Sequence, residues 1–583
     1  MRLEEYWGVG PKTKELLAEG IGEAAAIEAI ENADSRALMA AGLSRGRATR
    51  ILRRANGDEG MAVLATRDTR AVYKSILDLA SEFAVTRHAE DRIRVLTPLR
   101  DREAMTDRLD TVLAAVDAWR DLPETDREAV VDAFESHDSV GGGERSAVET
   151  AVELLDIGVE GGVFDRVAEL DRAALSDAAD ALAALGEGGV DRGVDDRLDA
   201  LRDQYAAVDE LAANRSAVVE SVQDSARGAG EFREAVCRYV VDETGVPAAA
   251  VREAMPDDAA DAAGFVGETL RTLVGDRRTA VEEREAEITA DLEGVIEDAR
   301  EAIDAAVDAV DDAALYVSLA RFAEAYDLTR PTFVDGRETV AVRGARNLEL
   351  EAAGEDVQPV DYAVGDHDLD FRGDASPPTG DRVTVLTGAN SGGKTTLLET
   401  LCQVQLLAQM GLPVPAAAAE VGVVDVVVFH RRHASFNAGV LESTLQTVVP
   451  PLTDDGRTLM LVDEFEAITE PGSAADLLHG LVTLTVDEDA LGVFVTHLAD
   501  DLEPLPDAAR TDGIFAEGLT ADLDLSVDYQ PRFGTVGKST PEFIVSRLVA
   551  NADDREERAG FETLASAVGQ EAVQRTLADA EWS

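Results

Sequence analysis

Gly388-Ala389-Asn390-Ser391-Gly392-Gly393-Lys394-Thr395 has the spacing GxxxxGK[ST] and stands between an apolar run, VTVLTG, and a helix-like stretch, KTTLLETL. Such a loop suits phosphates: its glycines let backbone N–H groups turn inward, the lysine reaches β and γ oxygens, and the threonine hydroxyl holds Mg²⁺. The pattern alone can arise by chance, but the strand-loop-helix setting argues against chance here. Thr396 continues the predicted cradle into the helix. Farther on, TLMLVDE sets Asp463 and Glu464 at the end of an apolar run, the end of a strand at which open α/β sheets bind ligands. Asp463 is expected to hold Mg²⁺ together with Thr395, and Glu464 to orient and deprotonate an attacking water. LGVFVTH delivers His497, expected to sense a γ-phosphate. A lone histidine more often serves structure, so that role rests on the other two motifs. Together these groups predict ATP and Mg²⁺ as cofactors and hydrolysis as the reaction.

The elements that must position these groups change character at Pro331. Beyond it, short β-branched runs (VTVLTG, VGVVDVVVF, TLMLVDE, LGVFVTH) alternate with helical segments, which predicts buried, largely parallel strands in an α/β domain over 335–560. A C-terminal helical segment, 561–583, follows. Before Pro331 the pattern is helical. Val72, Ile76, Leu79 and Phe83 share one helix face in a core predicted over 68–195. Stretches within 196–312 read as a long paired helical arm, one stripe of which carries Val281, Ile288, Leu292, Val295, Ile303 and Val310. Residues 313–334 return to the core. A plain helical bundle has the same periodicity as an arm.

Residues 1–60 read as two helix-hairpin-helix units, GVGPKTKELLAEGI and AAGLSRGRATRILRR. A glycine turn ahead of a helix N-terminus offers backbone N–H groups to a phosphate, and nearby cations add attraction. The expected DNA contacts are Gly8, Gly10, Lys12, Lys14, Arg45, Arg47 and Arg50. No acidic residue interrupts Ala41 to Ala55, a local exception in a chain with net charge −62. The bland alternative is a helical cap whose arginines solvate its surface.

That charge, with only five lysines and 45% hydrophobic residues, does not fit the low-hydrophobicity composition of disorder. It resembles proteins of salt-accumulating organisms, in which molar salt shortens the screening length to about 3 Å and tempers carboxylate repulsion. No uninterrupted apolar run has the roughly 18 to 20 residues of a membrane span, and the N-terminus lacks a secretory layout. A soluble, cytoplasmic protein without a membrane partner is expected. Cys237 and Cys402 are too few and too far apart for a disulfide framework or a metal set, so buried thiols are expected.

LLAQMGLPVPAAAAEV, HASFNAGVLESTLQTVV, TLMLVDE and FVTH resemble, in order and spacing, the ATPase core of the MutS family. Upstream, VYKSILDLASEFAVTRHAEDRIRVLTPLRD resembles the start of the family's helical core. The resemblance implies a multidomain chain: an N-terminal helix-hairpin-helix segment, a mainly α-helical core with a long clamp arm, and a C-terminal α/β ABC-type P-loop ATPase. It implies a homodimer in which Ser443, in ESTL, reaches across to the nucleotide of the other subunit. The core begins by residue 68, which leaves no room for the family's mismatch-reading domain and points to the branch without it. Three departures stand out: FEAITEPGS replaces the family's Gly-Arg-Gly-Thr run, Glu442 stands where arginine commonly precedes the signature, and Arg346-Asn347-Leu348 replaces Arg-His-Pro. The leading expectation is an ATP-controlled clamp on branched or distorted DNA in recombination or repair. The alternatives are a ribosome- or RNA-remodelling ATPase and an SMC-like structural ATPase. The last expects an LSGG-type signature, which the sequence lacks.

Overall fold

A computed structural model describes the chain except residues 1, 7, 32–33, 140–142, 187, 224–227, 260, 337, 372–375, 389–392, 432–437, 455, 469–470, 520–524, 538–544, 547, 550–551, 553 and 569–583. Ala389, Asn390, Ser391 and Gly392 of the predicted phosphate loop, and most of the expected C-terminal helix, therefore lie outside the described residues. The chain divides into two units: one formed by 1–135, 160–165 and 311–583, the other by 136–159 and 166–310.

The first unit opens with four helices, α1 (Pro11–Gly20), α2 (Glu23–Glu31), α3 (Ser35–Ala40) and α4 (Arg45–Val63). Proline at the first helical position of α1 costs no hydrogen bond, because that N–H has no intrahelical partner anyway. The turns ahead of α1 and α4 are alike: Gly8 (φ 84°) is followed by buried Val9, and Gly42 (φ 100°) by buried Leu43. Both apolar residues join Leu3, Leu17, Ile30, Leu38, Ile51 and Leu52 in one small core. α4 continues to the next helix, α5 (Arg67–Ser81), whose N-cap Thr66 accepts the Thr69 N–H.

The second unit is helical apart from a two-rung antiparallel ladder, β1 (Leu185–Gly186) with β2 (Gly189–Val190). Its longest helix runs from Ala262 to Asp298, and Asp196–Ala213 packs along it. The apolar stripe expected across this region is interrupted. Ile288 is buried with Leu198 and Val190, and Val281 and Leu292 pack beside them, but Val295 is 40% exposed. The helix ends at Ala299, and a new one, Arg300–Ala325, buries Ile303 and Val310. A break resets the helical phase, so a single stripe does not continue through it.

The remainder of the first unit holds two sheets. One has the order β3 (Thr332–Val334), β7 (Ala418–Gly422), β4 (Thr339–Ala345), β5 (Val360–Gly365). The larger has the order β12-β11-β6-β10-β9-β8, with β6 Val383–Gly388, β8 Val426–His430, β9 Thr458–Asp463, β10 Leu491–Val495, β11 Ala509–Leu519 and β12 Leu525–Arg532. β8, β9, β10, β6 and β11 are parallel; β12 pairs antiparallel with β11. The run VGVVDVVVF, read above as one strand, is two strands in different sheets. Asp425 marks the corner, where its carboxylate takes the Arg457 backbone N–H and guanidinium at 3.0 Å each. β6 and β9 are buried at every residue, as their mainly apolar sequences require of central strands.

Candidate functional site

β6 ends at Gly388, whose φ of 134° and close neighbour both demand glycine. A Cβ there would stand 2.2 Å from the Ile514 carbonyl oxygen. The chain re-enters the described structure at Gly393 (φ 74°), the N-cap of the Lys394–Gln409 helix. Positive φ without a Cβ penalty lets this turn deliver a helix N-terminus close to the sheet.

At that helix start the separated motifs converge. Thr395 Oγ1 donates to Asp463 Oδ2 at 2.7 Å, and Lys394 Nζ donates to the Gly388 carbonyl at 3.0 Å. Burial lowers the Lys394 pKa, and the negative charges of Glu464, Asp463 and Glu466 oppose that shift. The lysine is thus a partly desolvated cation whose charge the nearby carboxylates help to maintain. Glu464 follows β9 with φ 43°, its N–H donating to the Val495 carbonyl at 3.0 Å. His497 Nε2 lies 2.9 Å from Glu464 Oε1. In sequence His497 joined this site only through the other two motifs, and its side chain meets that of Glu464 here.

A cleft of about 770 Å³ opens over this point, lined by Asn347, Leu350, Gln358, Lys394, Thr395, Thr396, Arg431, Asp463, Glu464 and Tyr529 among others. Tyr529, Arg431 and Gln358 carried no sequence signal. Tyr529 comes from β12, and its ring lies so near Gly393 that a Cβ there would stand 2.7 Å from it. Arg431 pairs with Glu399 of the Lys394 helix and stacks over Phe429 at 5.2 Å. Asn347, at one of the departures from the family pattern, caps the Leu348–Ala352 helix and donates to Thr400 at 3.3 Å. Gln358 donates to Asp528, beside Tyr529. Only the fold brings these distant segments to the loop.

A hydroxyl and a carboxylate in contact make a hard-oxygen pair of the kind Mg²⁺ selects. Thr395 and Asp463 therefore fit that ion. When bound, Mg²⁺ would neutralise charge on β and γ oxygens.

Ser443 lies on the exposed face of the Ala438–Val448 helix and is absent from the cleft lining; Glu442 beside it is also exposed. In the N-terminal helices the expected DNA contacts divide. Lys12, Arg45, Arg47 and Arg50 are all exposed, but among the described residues Lys12 and Arg50 have no carboxylate partner. Lys14 pairs with Glu4 and Glu23, Arg47 donates to Thr13, and Arg45 pairs with Glu90 and the buried Asp91. Cys237 and Cys402 are both buried.

Residues 384–498 match the family model described as MutS domain V. That span contains all of β6 but its first residue, and Lys394, Thr395, Asp463, Glu464 and His497. A DNA-binding protein MutS2 of Pyrococcus furiosus is 43% identical over 223 residues, covering 38% of each chain. These matches support the MutS family. An endonuclease MutS2 of Solidesulfovibrio magneticus is 32% identical over 251 residues, 41% of this chain and 29% of the relative. A DNA mismatch repair protein MutS of Anaeromyxobacter is 30% identical over 438 residues, which takes in 70% of this chain but 46% of the relative. The aligned stretches span less than half the length of these MutS relatives. No described helix is long and apolar enough to cross a membrane.

Proposed function

We propose that the chain is an ATPase of the MutS type, from the branch without wedge-type mismatch reading, that uses ATP to control its grip on DNA. One observation carries the reading: Thr395 and Asp463 meet at 2.7 Å at the start of the Lys394 helix, with Glu464 following on the same strand end. In this reading Lys394 and the loop amides hold the β and γ phosphates. Thr395 and Asp463 hold Mg²⁺. Glu464 takes the proton of the attacking water, and His497, released from Glu464, turns toward the γ-phosphate.

DNA enters the reading through the MutS relatives and through the paired turns at Gly8 and Gly42, which fit helix-hairpin-helix units. Lys12 and Arg50 are the cations best placed to meet a backbone. Two chains would share each nucleotide, with Ser443 supplied across the interface. Branched or distorted DNA is the proposed preference, in recombination or repair.

The test pairs two variants with a binding panel. Lys394→Ala removes the phosphate-facing cation and is expected to abolish tight ATP binding. Glu464→Gln leaves the cradle intact and is expected to bind ATP while turning over at least about 100-fold more slowly, the scale of lost general-base catalysis. Wild-type turnover by Glu464→Gln would refute the assignment. Duplex, mismatched duplex, four-way junction, single strand and structured RNA, each with and without ATP, separate a DNA clamp from an RNA remodeller. Tighter ATP-dependent binding of RNA than of any DNA would favour the latter.

A further inference from the structure

Glu466 belongs to the Phe465–Ile468 turn, within the segment that departs from the family's glycine-rich run. Phe465 is fully buried and anchors the turn, which leaves the next side chain directed at the end of β10. There Glu466 Oε1 accepts two hydrogen bonds, from the Thr496 hydroxyl at 2.8 Å and from the His497 backbone N–H at 2.7 Å. The Thr496 hydroxyl also accepts the Leu498 N–H at 3.0 Å, and the Thr496 N–H donates to Leu386 of β6 at 3.1 Å. The loop that carries His497 is thereby fixed on both sides by groups with no contact to the cleft. Glu466 Oε2 is shut from solvent and has no hydrogen-bond partner among the described residues. Glu466 is half-buried, and an oxygen shut from solvent without a partner carries a cost. Hydrophobic packing has no use for such a group, whereas holding a backbone N–H at a defined place does.

The consequence lies in the distance from His497 Nε2 to Glu464 Oε1, 2.9 Å. That bond takes one of several acceptor positions on the carboxylate that the proposed reaction needs for water. For the imidazole to meet the γ-phosphate it must leave Glu464 while its backbone stays in register, so that the ring swings about its side-chain torsions between two partners. A glycine in place of Glu466 has no side chain to hold the loop.

We propose that Glu466 is a positioning residue for ATP hydrolysis, holding the Thr496-His497 backbone so that His497 moves between Glu464 and the γ-phosphate. The inference rests on the ATPase reading given above. Among the described residues no hydrogen bond joins Glu466 to Lys394 or Thr395, and of the three carboxylates whose charge acts on Lys394 it is the weakest, so nucleotide binding is left largely to the other groups.

The test is steady-state ATP turnover by the full chain in wild type, E466A, E466D and E466Q. E466A removes the acceptor, and E466D keeps the charge but withdraws the oxygen by one methylene. Both are expected to lower kcat at least about tenfold with KM within about twofold of wild type, since displacement of a catalytic group by about 1 Å can cost about 100-fold. E466Q keeps an acceptor oxygen without the charge and is expected to recover kcat to within about threefold. E466D carries the test if E466A does not fold. Unchanged kcat in E466A and E466D overturns the inference, as does E466Q as slow as E466A, which would make charge the cause. Parallel loss in kcat and KM assigns Glu466 to general support of the site and also overturns it. A wild-type chain that does not hydrolyse ATP removes the ATPase reading and this inference together, whereas active wild type with indifferent variants removes the inference alone.

Discussion

Thr69 is bonded twice to the edge of the large sheet: its hydroxyl donates to the Val427 carbonyl at 3.1 Å and accepts the Phe429 N–H at 2.9 Å. Two neighbours reinforce the seam. Thr66 donates its hydroxyl to the Phe429 carbonyl, and Asp68 accepts the Arg431 N–H at 2.9 Å. An edge strand exposes alternate backbone groups to whatever can pair with them. Here the start of α5 covers that edge, so α4, which begins at the second glycine turn, ends against the strand leading to Arg431 in the cleft. Thr69→Val keeps the shape, deletes both bonds and leaves the Phe429 N–H buried without a partner. The expected loss is about 1 to 3 kcal/mol of unfolding free energy, read from denaturant titration. Wild-type stability in this variant would show that the seam contributes nothing.

The N-terminal cations differ in what they hold, and substitution is expected to separate them. Lys12→Ala and Arg50→Ala remove exposed charge and should weaken DNA binding, flattening its salt dependence, with little change in Tm. Arg45→Ala instead strips a partner from Asp91, which is 3% exposed, and should destabilise by about 1 to 2 kcal/mol. Thermal melts and salt-dependent DNA titrations of the three variants decide the matter. Equal loss of DNA binding without any change in Tm for Arg45→Ala would place Arg45 on the binding surface as well.

His88 supplies a pH dependence with a definite sign. Burial first, then the positive charges of Arg36 and Arg92, lower its pKa from 6.5 to about 4, against the opposing pull of Asp34 and Asp91; Asp311 lies 3.5 Å from its Nε2. Between those two values the unfolded chain binds the proton that the folded chain refuses. Stability from this group is therefore full above about pH 6.5 and is lost as pH falls toward 4. His88→Gln should flatten that part of the stability profile. Chemical denaturation of wild type and variant at about pH 7 and about pH 5 reads the difference, and equal slopes would remove His88 as its source.

The grouping of Lys394, Thr395, Asp463, Glu464 and His497 was legible in sequence because these residues sit at strand and helix ends marked by apolar runs. Gly388, Lys394, Asp463 and His497 each follow or begin such an element. Tyr529 and Arg431 were not legible, because their place over the loop depends on strand order, and β12 and β8 occupy opposite edges of the sheet. VGVVDVVVF misled for a related reason: continuous apolarity reports burial but not a change of sheet at Asp425. In the N-terminal helices, absence of local acids suggested free arginines, yet the carboxylates that engage Arg45 lie in the later helix Arg87–Arg94. Charge pairing across tens of residues has no local sequence mark.

Lys394, Thr395, Asp463 and Glu464 come from one chain, whereas Ser443 faces outward on its helix and lines no part of that chain's cleft. In the proposed dimer each Ser443 completes the neighbour's site. Lys394→Ala and Ser443→Ala homodimers should then both be impaired, because every site carries a lesion. Mixing them forms heterodimers in which the two lesions fall on the same composite site: the Lys394→Ala chain lacks its own lysine, and its partner fails to supply Ser443. The second site retains intact Lys394 and an intact Ser443 from across the interface. Partial ATP turnover should reappear in the mixture, approaching half the wild-type rate per heterodimer when the sites act independently. Native mass measurement and nucleotide occupancy on the same sample establish that heterodimers form and that one site is filled. Occupancy at one site without turnover would mean that the two sites must fire together. Full activity in the Ser443→Ala homodimer would defeat the shared-site proposal outright, because a group that the reaction does not miss cannot complete its site.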